Sequence, residues 1–332
     1  MRLTEPLQIK NLTLRNRIVL PPMKTGKSES GGPSAEMIDY YAARGESTGL
    51  LILEHEYISP EGQASASQLS MADDSLIPAY QRLTAEVHKR GAAIIAQINH
   101  AGAAAMDTGL PLLGPSRVSC RADGPMPLEM QDADIKKVIR DFTAAALRVQ
   151  QAGFDGVEIH AAHGYLLNQF YSPATNHRRD SYSGSTLEGR TRLQIEVIRS
   201  VRAAVGPDFL IALRFGAFDG LKNGSRKEEI PAAARLFEDA GIDLLDISGG
   251  LSGYNVKGCS TPGWFADLST AARRAVTIPV ILTGGIQQAA DAERLLAEGA
   301  ADLIGVGRAM MQNAHWSKDA ITLLRGQIAE NS

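Results

Sequence analysis

Short aliphatic segments recur along the chain, and a helical pattern follows most of them. Eight of these segments are candidate strands. Their apolar residues run almost without interruption, which is typical of strands buried on both faces. The candidates are Ile18–Leu20, Leu50–Glu54, Ala93–Ile98, Gly156–His160, Phe209–Phe215, Leu244–Ser248, Val280–Thr283 and Leu303–Val306.

Between the strands, apolar residues recur with the 3.6-residue period of an α-helix. The pattern from Ile135 to Val149 predicts one helix, with acidic residues in its first turn and Gly153 at its end. Similar patterns, which end at Gly206, Gly241 and Gly299, predict three more helices. Alternating strands and helices with short turns indicate a parallel sheet.

Eight strand–helix units over 332 residues predict an α/β fold, a (β/α)8 TIM barrel that forms one domain over residues 1–332. A doubly wound open sheet is the alternative, but no G-x-G-x-x-G segment follows the first strand. Two long insertions, Met106–Met130 and Tyr165–Gly189, follow strand ends. We therefore expect both at the catalytic face of the barrel.

Composition and charge exclude several classes of protein. The formal net charge of −3 offers no basic field for nucleic acid or an anionic membrane surface. No apolar run approaches the roughly 18–20 residues of a membrane span, and the first residues do not form a signal peptide. Two cysteines are too few for a four-cysteine zinc site or iron–sulfur cluster. These features predict a cytoplasmic protein.

The fourth candidate strand carries polar residues at its carboxyl end. Glu158 and His160 are two positions apart, so they share the face that we expect to point into the barrel. His163 and Tyr165 follow at the rim, where barrel active sites lie. Two imidazoles and a phenol can hold a polar substrate atom and deliver a proton. The alternative is a set of hydrogen-bonded structural side chains.

A metal site is a competing interpretation of the same segment. His160 and His163 have a spacing that can chelate, and His55 and His100 are candidate ligands near other strand ends. Metal hydrolases built on barrels usually need further ligands, and the first strand contains no His-x-His pair. We therefore expect no bound metal.

A buried cation is predicted at the end of the fifth strand. Arg214 alternates in register with Ala212, so its side chain should face the interior. A guanidinium keeps its proton, and burial therefore requires an anionic or strongly accepting partner. Glu158 and a bound ligand are both candidates. Gln97, at the end of the third strand, offers a donor and an acceptor to the same space.

Glycines follow both of the last two strands. Gly284 and Gly285 follow the seventh, and Gly307 and Arg308 follow the eighth. Barrels often bind phosphate at these two loops through backbone N–H groups, and an arginine adds a bidentate cation. Although either loop alone could be an ordinary helix start, together they predict a phosphate site.

These segments resemble the old yellow enzyme family over nearly the whole chain, from about Leu7 to about Ser317. The matching segments are Asn16–Met23, Gln97–Gly102, His160–Phe170, Asn176-His177-Arg178 and the closing Gly307-Arg308. The resemblance implies FMN, bound without a covalent link at the carboxyl end of the barrel. The residues that it assigns to FMN are Pro21, Pro22, Met23, Lys24, His55, Gln97, Arg214, Gly284, Gly285, Gly307 and Arg308.

The resemblance also implies a reaction in two halves. NADPH or NADH first reduces the flavin, and a small activated alkene (an enone, enal or nitroalkene) then takes the place of the nicotinamide. In this scheme His160 and His163 bind the oxygen of the alkene substrate, and Tyr165 protonates its α-carbon. Lys24 and His55 depart from the family pattern. Threonine or cysteine is usual at the first position and a small residue is common at the second.

Two other functions stay open at this point. One is a flavin-free aldolase or isomerase acting on phosphorylated sugars, for which Lys24 is the only lysine at a strand end. The other is a flavin-binding sensor without turnover, against which the presence of Tyr165 and both histidines argues. The choice between NADH and NADPH, and a homo-oligomeric state, are also left open.

Overall fold

The computed structural model of the chain describes residues 2–106, 108–120 and 124–330. Its main sheet contains eight parallel barrel strands, one for each candidate segment. The strands are β1 (Ile18–Leu20), β2 (Leu50–Tyr57), β3 (Ala93–Asn99), β4 (Gly156–Ala161), β5 (Leu210–Phe218), β6 (Leu244–Gly249), β7 (Val280–Leu282) and β8 (Leu303–Gly305).

The sheet closes on itself. Strand β1 pairs with β8 on one side and with β2 on the other, and each remaining strand pairs with its neighbours in chain order. The prediction of a (β/α)8 barrel is therefore confirmed, and the open-sheet alternative is wrong. A short strand, Leu69–Ser70, pairs with the carboxyl end of β2.

Helices surround the barrel. They are α1 (Ala35–Gly45), α2 (Ile77–Lys89), α3 (Asp132–Gln151), α4 (Leu166–Tyr171), α5 (Leu187–Val205), α6 (Ile230–Ala240), α7 (Ala266–Arg273), α8 (Ala289–Ala297), α9 (Arg308–Gln312) and α10 (Trp316–Glu330). The four helices predicted from periodicity are α3, α5, α6 and α8. Within the described ranges, no helix has both the length and the apolar composition that crossing a membrane requires.

The barrel interior has two chemically different layers. Near the amino ends of the strands, inward side chains such as Leu50, Ile95 and Leu244 form an apolar core. An antiparallel hairpin of Leu7–Ile9 and Leu12–Leu14 packs against this core and closes that end of the barrel. The hairpin has no counterpart among the elements predicted from the sequence. Polar side chains fill the layer nearer the carboxyl ends.

Both insertions follow the carboxyl ends of strands, as expected. In the first, Met106–Met130, two short parallel strands at Leu113–Gly114 and Leu128–Glu129 pair with each other, and residues 107 and 121–123 lie outside the described ranges. The second, Tyr165–Gly189, is not all loop, because it contains α4 and the first turn of α5. The two insertions are joined by Arg178, whose guanidinium donates to the Pro115 and Met130 carbonyls.

Candidate active site

An open cavity of about 530 Å³, here called the central cavity, lies at the carboxyl ends of the barrel strands. Its volume is within the roughly 300–1,000 Å³ of typical ligand sites. Every residue that the family resemblance assigns to FMN, to the substrate oxygen or to proton delivery lines it, whereas Glu158 and His100 do not. The assigned residues are Pro21, Pro22, Met23, Lys24, His55, Gln97, His160, His163, Tyr165, Arg214, Gly284, Gly285, Gly307 and Arg308.

Arg214 is buried, as predicted, but its partner is not Glu158. Its Nη1 lies 3.5 Å from Oδ2 of Asp246, the residue beside it on β6. Glu158 instead accepts a hydrogen bond of 2.6 Å from the Gln97 side chain on β3. Register explains the difference, because Glu158 lies beside Gln97 and Ala212, whereas Arg214 lies beside His160 and Asp246.

The two buried carboxyl groups share one guanidinium. Burial raises the pKa of Glu158, the nearby Asp246 charge raises it further, and Arg214 lowers it in part. Burial also raises the pKa of Asp246, against the opposing effect of Arg214. Burial therefore raises the pKa of both carboxyl groups, and the Arg214 charge opposes the rise in each. The Arg214 Nε atom is buried and has no hydrogen-bond partner among the described residues.

Three side chains of the β4 segment converge on the central cavity. The ring centroids of His160 and His163 are 5.0 Å apart, and those of His160 and Tyr165 are 5.1 Å apart. His160 is almost completely buried, whereas His163 and Tyr165 are partly exposed. This is the cluster that the sequence predicted.

His163 adopts a left-handed backbone conformation with φ of +59°, which is uncommon for a residue other than glycine. Two contacts with β6 hold it there. Its backbone N–H donates to the Gly249 carbonyl over 3.3 Å, and its Nε2 lies 2.7 Å from the Ser248 hydroxyl. Because Nε2 is engaged with Ser248, Nδ1 is the ring nitrogen left for a ligand.

The tautomer of His55 follows from its neighbours. The Gln68 amide is oriented by the Ala64 N–H, which donates to its oxygen over 2.6 Å, so its nitrogen faces His55 Nδ1 at 3.0 Å. Asn99 offers a second amide nitrogen at 3.2 Å. Nδ1 is therefore an acceptor, and neutral His55 carries its proton on Nε2. In His160 the buried Nδ1 has no hydrogen-bond partner in the described part of the chain, which also favours a proton on Nε2.

All three imidazoles are neutral at physiological pH. Burial, together with the nearby charges of Lys24 and Arg214, lowers the pKa of His55 to about 4. The pKa values of His160 and His163 also lie well below their usual range, mainly because of burial, with the surrounding histidines and Arg214 adding to the effect. Neutral imidazoles with an N–H toward the cavity can donate hydrogen bonds to a ligand oxygen.

The glycine loops pack so closely against neighbouring side chains that a Cβ would not fit. Gly284 and Gly285 have φ of +121° and +69°, and a Cβ at either would lie within 2.7 Å of Trp264. A Cβ at Gly307 would lie 2.9 Å from the Met23 sulfur. Arg308 lies over the Trp264 ring, with its Cζ 5.5 Å from the ring centroid. Bare backbone beside an arginine suits a phosphate group.

Lys24 lies at the rim of the central cavity. Its side chain is exposed, and its ammonium donates to the Ser65 hydroxyl over 2.9 Å. Lys24 therefore both lines the cavity and contacts solvent. The adjacent Thr25 is held by Glu54, whose carboxylate accepts from the Thr25 N–H.

Several residues at or behind the site were missed. Asp246 and Ser248 occupy alternating inward positions of β6, so the alternation that singled out Glu158 and His160 could have found them. Trp264 and Gln68 are supplied by loops, and nothing in the sequence indicated them. In the described part of the chain, no cluster of histidine, cysteine and acidic side chains could hold a metal ion.

The chain is similar to flavin-dependent oxidoreductases. The profile of the NADH:flavin oxidoreductase / NADH oxidase family matches residues 2–324. An NADH oxidase of Thermoanaerobacter brockii is 40% identical over 94% of this chain and 50% of its own length, and a Desulforamulus reducens metal reductase is 35% identical over 96% and 48%. The chain thus spans about half of these two relatives. A Listeria monocytogenes NADPH dehydrogenase is 35% identical over 96% of this chain and 94% of its own length.

Solved structures agree in fold. Morphinone reductase in complex with tetrahydroNAD superposes with a TM-score of 0.84 at 24% identity, over 97% of this chain and 91% of that one. Together with the relatives, the family match confirms the resemblance seen in the sequence and the FMN cofactor that the family implies. The chain belongs to the NADH:flavin oxidoreductase / NADH oxidase family, which is the family of old yellow enzyme.

Proposed function

We propose that the chain is an FMN-dependent enzyme that uses NADPH or NADH to reduce the C=C bond of enones, enals or nitroalkenes. One observation carries the proposal. A single cavity brings neutral imidazoles and the Tyr165 phenol together with a buried guanidinium and a glycine-and-arginine pocket. The imidazoles and the phenol suit an alkene conjugated to a polar oxygen, and the glycine-and-arginine pocket suits a flavin phosphate.

The residues present fit FMN. The unpartnered Nε of Arg214 and the amide of Gln97 offer donors to the pyrimidine edge of a flavin. Pro21, Pro22, Met23, Lys24 and His55 line the rest of the central cavity and would contact the flavin ring. The phosphate would be held by Gly284, Gly285, Gly307 and Arg308.

The protein's own groups would divide the work as follows. His160 and His163 donate hydrogen bonds to the substrate oxygen and so withdraw electrons from the conjugated double bond. Tyr165 supplies a proton to the α-carbon, because a phenol with a reference pKa of about 10 is protonated at neutral pH. Bound FMN supplies the two-electron carrier between nicotinamide and alkene. Arg214 would place its positive charge beside the bound flavin.

Two further proposals accompany this function, in which the nicotinamide and the alkene use one cavity in turn. Residues 1–332 form one FMN-binding barrel that needs no separate nucleotide domain for this reaction. The location is cytoplasmic, where NADPH and NADH are supplied.

The test starts with the purified protein. We expect a yellow protein that releases FMN on denaturation, loses its visible flavin band with NADPH or NADH under anaerobic conditions, and consumes nicotinamide when 2-cyclohexenone is added. A colourless protein that cleaves phosphorylated sugars would support the aldolase alternative. Bound flavin that no nicotinamide reduces would support the sensor.

A further inference from the structure

Arg214, Asp246 and Glu158 project from three neighbouring strands into a buried layer of the barrel. Arg214 lines the central cavity, whereas the two carboxyl groups are completely buried and do not line it. A ligand in the central cavity can therefore contact the guanidinium. The two carboxyl groups can act on that ligand only through their charge and through the position they give to Arg214.

Asp246 stands directly behind Arg214. The parallel register of β5 and β6 places the two residues side by side, with Oδ2 of Asp246 at 3.5 Å from Nη1 of Arg214. On the other side of Asp246, its neighbour on β7 is the apolar residue Ile281. Neither carboxyl oxygen of Asp246 has a hydrogen-bond partner among the described residues. The Arg214 charge opposes the effect of burial on the pKa of Asp246, so the two groups interact electrostatically.

This pairing contributes little to the stability of the barrel. A buried carboxylate loses its hydration, and a guanidinium at 3.5 Å without hydrogen bonds compensates that loss only in part. Apolar side chains in the place of such a pair are often at least as stabilising. Two positions earlier on β6, the chain fills the barrel interior with Leu244. The acid at position 246 therefore calls for an explanation at the cavity rather than in the core.

Asp246 lies close enough to act on charge in the central cavity. A negative charge held by the cavity side of the guanidinium would lie within about 10 Å of the Asp246 carboxylate, because a hydrogen bond and the width of a guanidinium are all that separates them from the ion pair. Arg214 attracts such a charge, whereas Asp246 repels it. Reduction of a flavin beside Arg214 adds negative charge there, and Asp246 therefore opposes that reduction.

We propose that Asp246 is a positioning residue for the flavin site, which holds the Arg214 guanidinium and offsets its charge. The bound flavin then has a lower reduction potential than Arg214 alone would give it. The inference rests on the proposed function, in which Arg214 lies beside the flavin. A lower potential makes the reduced flavin a stronger hydride donor to the alkene, and it weakens the driving force for reduction by the nicotinamide.

Asp246→Asn tests the proposal because it removes the charge with almost no change in shape. The midpoint potential of the holoenzyme is measured by anaerobic photoreduction against a reference dye at pH 8.5, since burial raises the pKa of Asp246 and a high pH favours its ionised form. At an effective dielectric constant of about 20, a unit charge about 10 Å away changes an equilibrium constant by about tenfold or more.

Glu158 reduces the size of the expected effect. The Asp246 charge raises the pKa of Glu158, so Glu158 ionises more readily once that charge is gone. We therefore expect Asp246→Asn to raise the equilibrium constant for flavin reduction at least threefold. For a two-electron couple, a threefold change is an upward shift of about 14 mV.

Two matched variants also replace a buried carboxyl group by an amide. Glu158→Gln alters the same layer, but Glu158 lies beside Gln97 and Ala212 rather than Arg214, so we expect a smaller shift than in Asp246→Asn. Glu56→Gln alters a completely buried acid on β2 whose pKa depends on Glu54 and Tyr80, and we expect no shift. If Asp246→Asn does not fold, Asp246→Ser removes the same charge with a smaller side chain and should shift the potential in the same direction.

The inference is overturned if the equilibrium constant rises less than threefold in Asp246→Asn, or if it falls. The same conclusion follows if Glu158→Gln or Glu56→Gln shifts it equally, or if a folded Asp246 variant loses FMN, since neutralising a nearby acid should not weaken an anionic cofactor. These results leave the proposed function intact as long as the wild type is reduced by NADPH and reduces 2-cyclohexenone. A wild type that holds no flavin, or that does not reduce 2-cyclohexenone, would overturn the proposed function itself.

Discussion

The hydrogen bond between Ser248 and His163 offers a sharp test of how the site recognises an oxygen. For His163 to donate through Nδ1, its proton must lie on Nδ1, so the Ser248 hydroxyl must donate to Nε2 over their 2.7 Å separation. Ser248→Ala removes that donor with a small change in volume. His163 can then turn out of its left-handed conformation or move its proton to Nε2, and Nδ1 would face the ligand as an acceptor.

The size of the effect follows from these two routes. Loss of orientation alone removes one neutral hydrogen bond, about 0.5–1.5 kcal/mol, or roughly twofold to tenfold in Kd. Loss of the correct tautomer removes a hydrogen bond to a charged phenolate, about 1.5–3 kcal/mol, or roughly tenfold to a hundredfold. We therefore expect phenol to bind Ser248→Ala about tenfold or more weakly than the wild type.

The assay is a phenol titration of the oxidised holoenzyme, followed by the flavin spectrum. Ser248 does not line the central cavity, so flavin content should be unchanged. Ser248→Thr keeps a hydroxyl and should restore much of the affinity. Ser269→Ala removes another buried serine, on α7 and away from the cavity, and should bind phenol normally. Equal phenol affinity in Ser248→Ala and the wild type would refute the tautomer argument.

Three further predictions concern single side chains. Arg308→Ala should lose FMN on dialysis because the phosphate loses its cation, while riboflavin binding changes little; equal losses of affinity for both, measured by equilibrium dialysis, would contradict this. Tyr165→Phe should leave reduction by NADPH near wild type in stopped-flow experiments and slow only reoxidation by enones, whereas the opposite pattern would assign the proton to another donor. His55→Gln tests the burial of His55. The folded state resists protonation of His55 down to about pH 4, whereas the unfolded chain takes up the proton near pH 6.5. The free energy of unfolding of the wild type should therefore decrease as the pH is lowered from 6.5 to 4. In denaturant unfolding of the FMN-free proteins, the wild type should lose about 3 kcal/mol more unfolding free energy by pH 4 than His55→Gln does. Parallel pH profiles of stability in the two proteins would contradict this prediction.

The barrel could be predicted from the sequence because its strands are buried on both faces. Such strands are continuous apolar runs, and the closing glycines of the helices mark where each unit ends. The hairpin of Leu7–Ile9 and Leu12–Leu14 has strands of three residues, too short for any period to show. Helix α4 has six residues, all of them buried, so it has no polar face to reveal a helical pattern.

The site could be predicted only in part from the sequence. That residues at strand ends lie together could be predicted, because the carboxyl ends of all barrel strands meet at one face. The pairing of Arg214 with Asp246 could not be predicted, because it depends on register: β6 places Asp246 beside Arg214, whereas on β4 it is His160, and not Glu158, that lies beside it. Trp264 and Gln68 reach the site through the paths of loops, which neither composition nor spacing determines.

The central claim is that this cavity transfers electrons from a nicotinamide to the double bond of an activated alkene. A single-turnover experiment tests it most directly. The holoenzyme is reduced anaerobically with one equivalent of NADPH, freed of the oxidised nicotinamide, and mixed with 2-cyclohexenone. We predict that the flavin band returns and that one equivalent of cyclohexanone forms for each flavin reoxidised. A flavin that stays reduced until oxygen is admitted, with no cyclohexanone formed, would contradict the account.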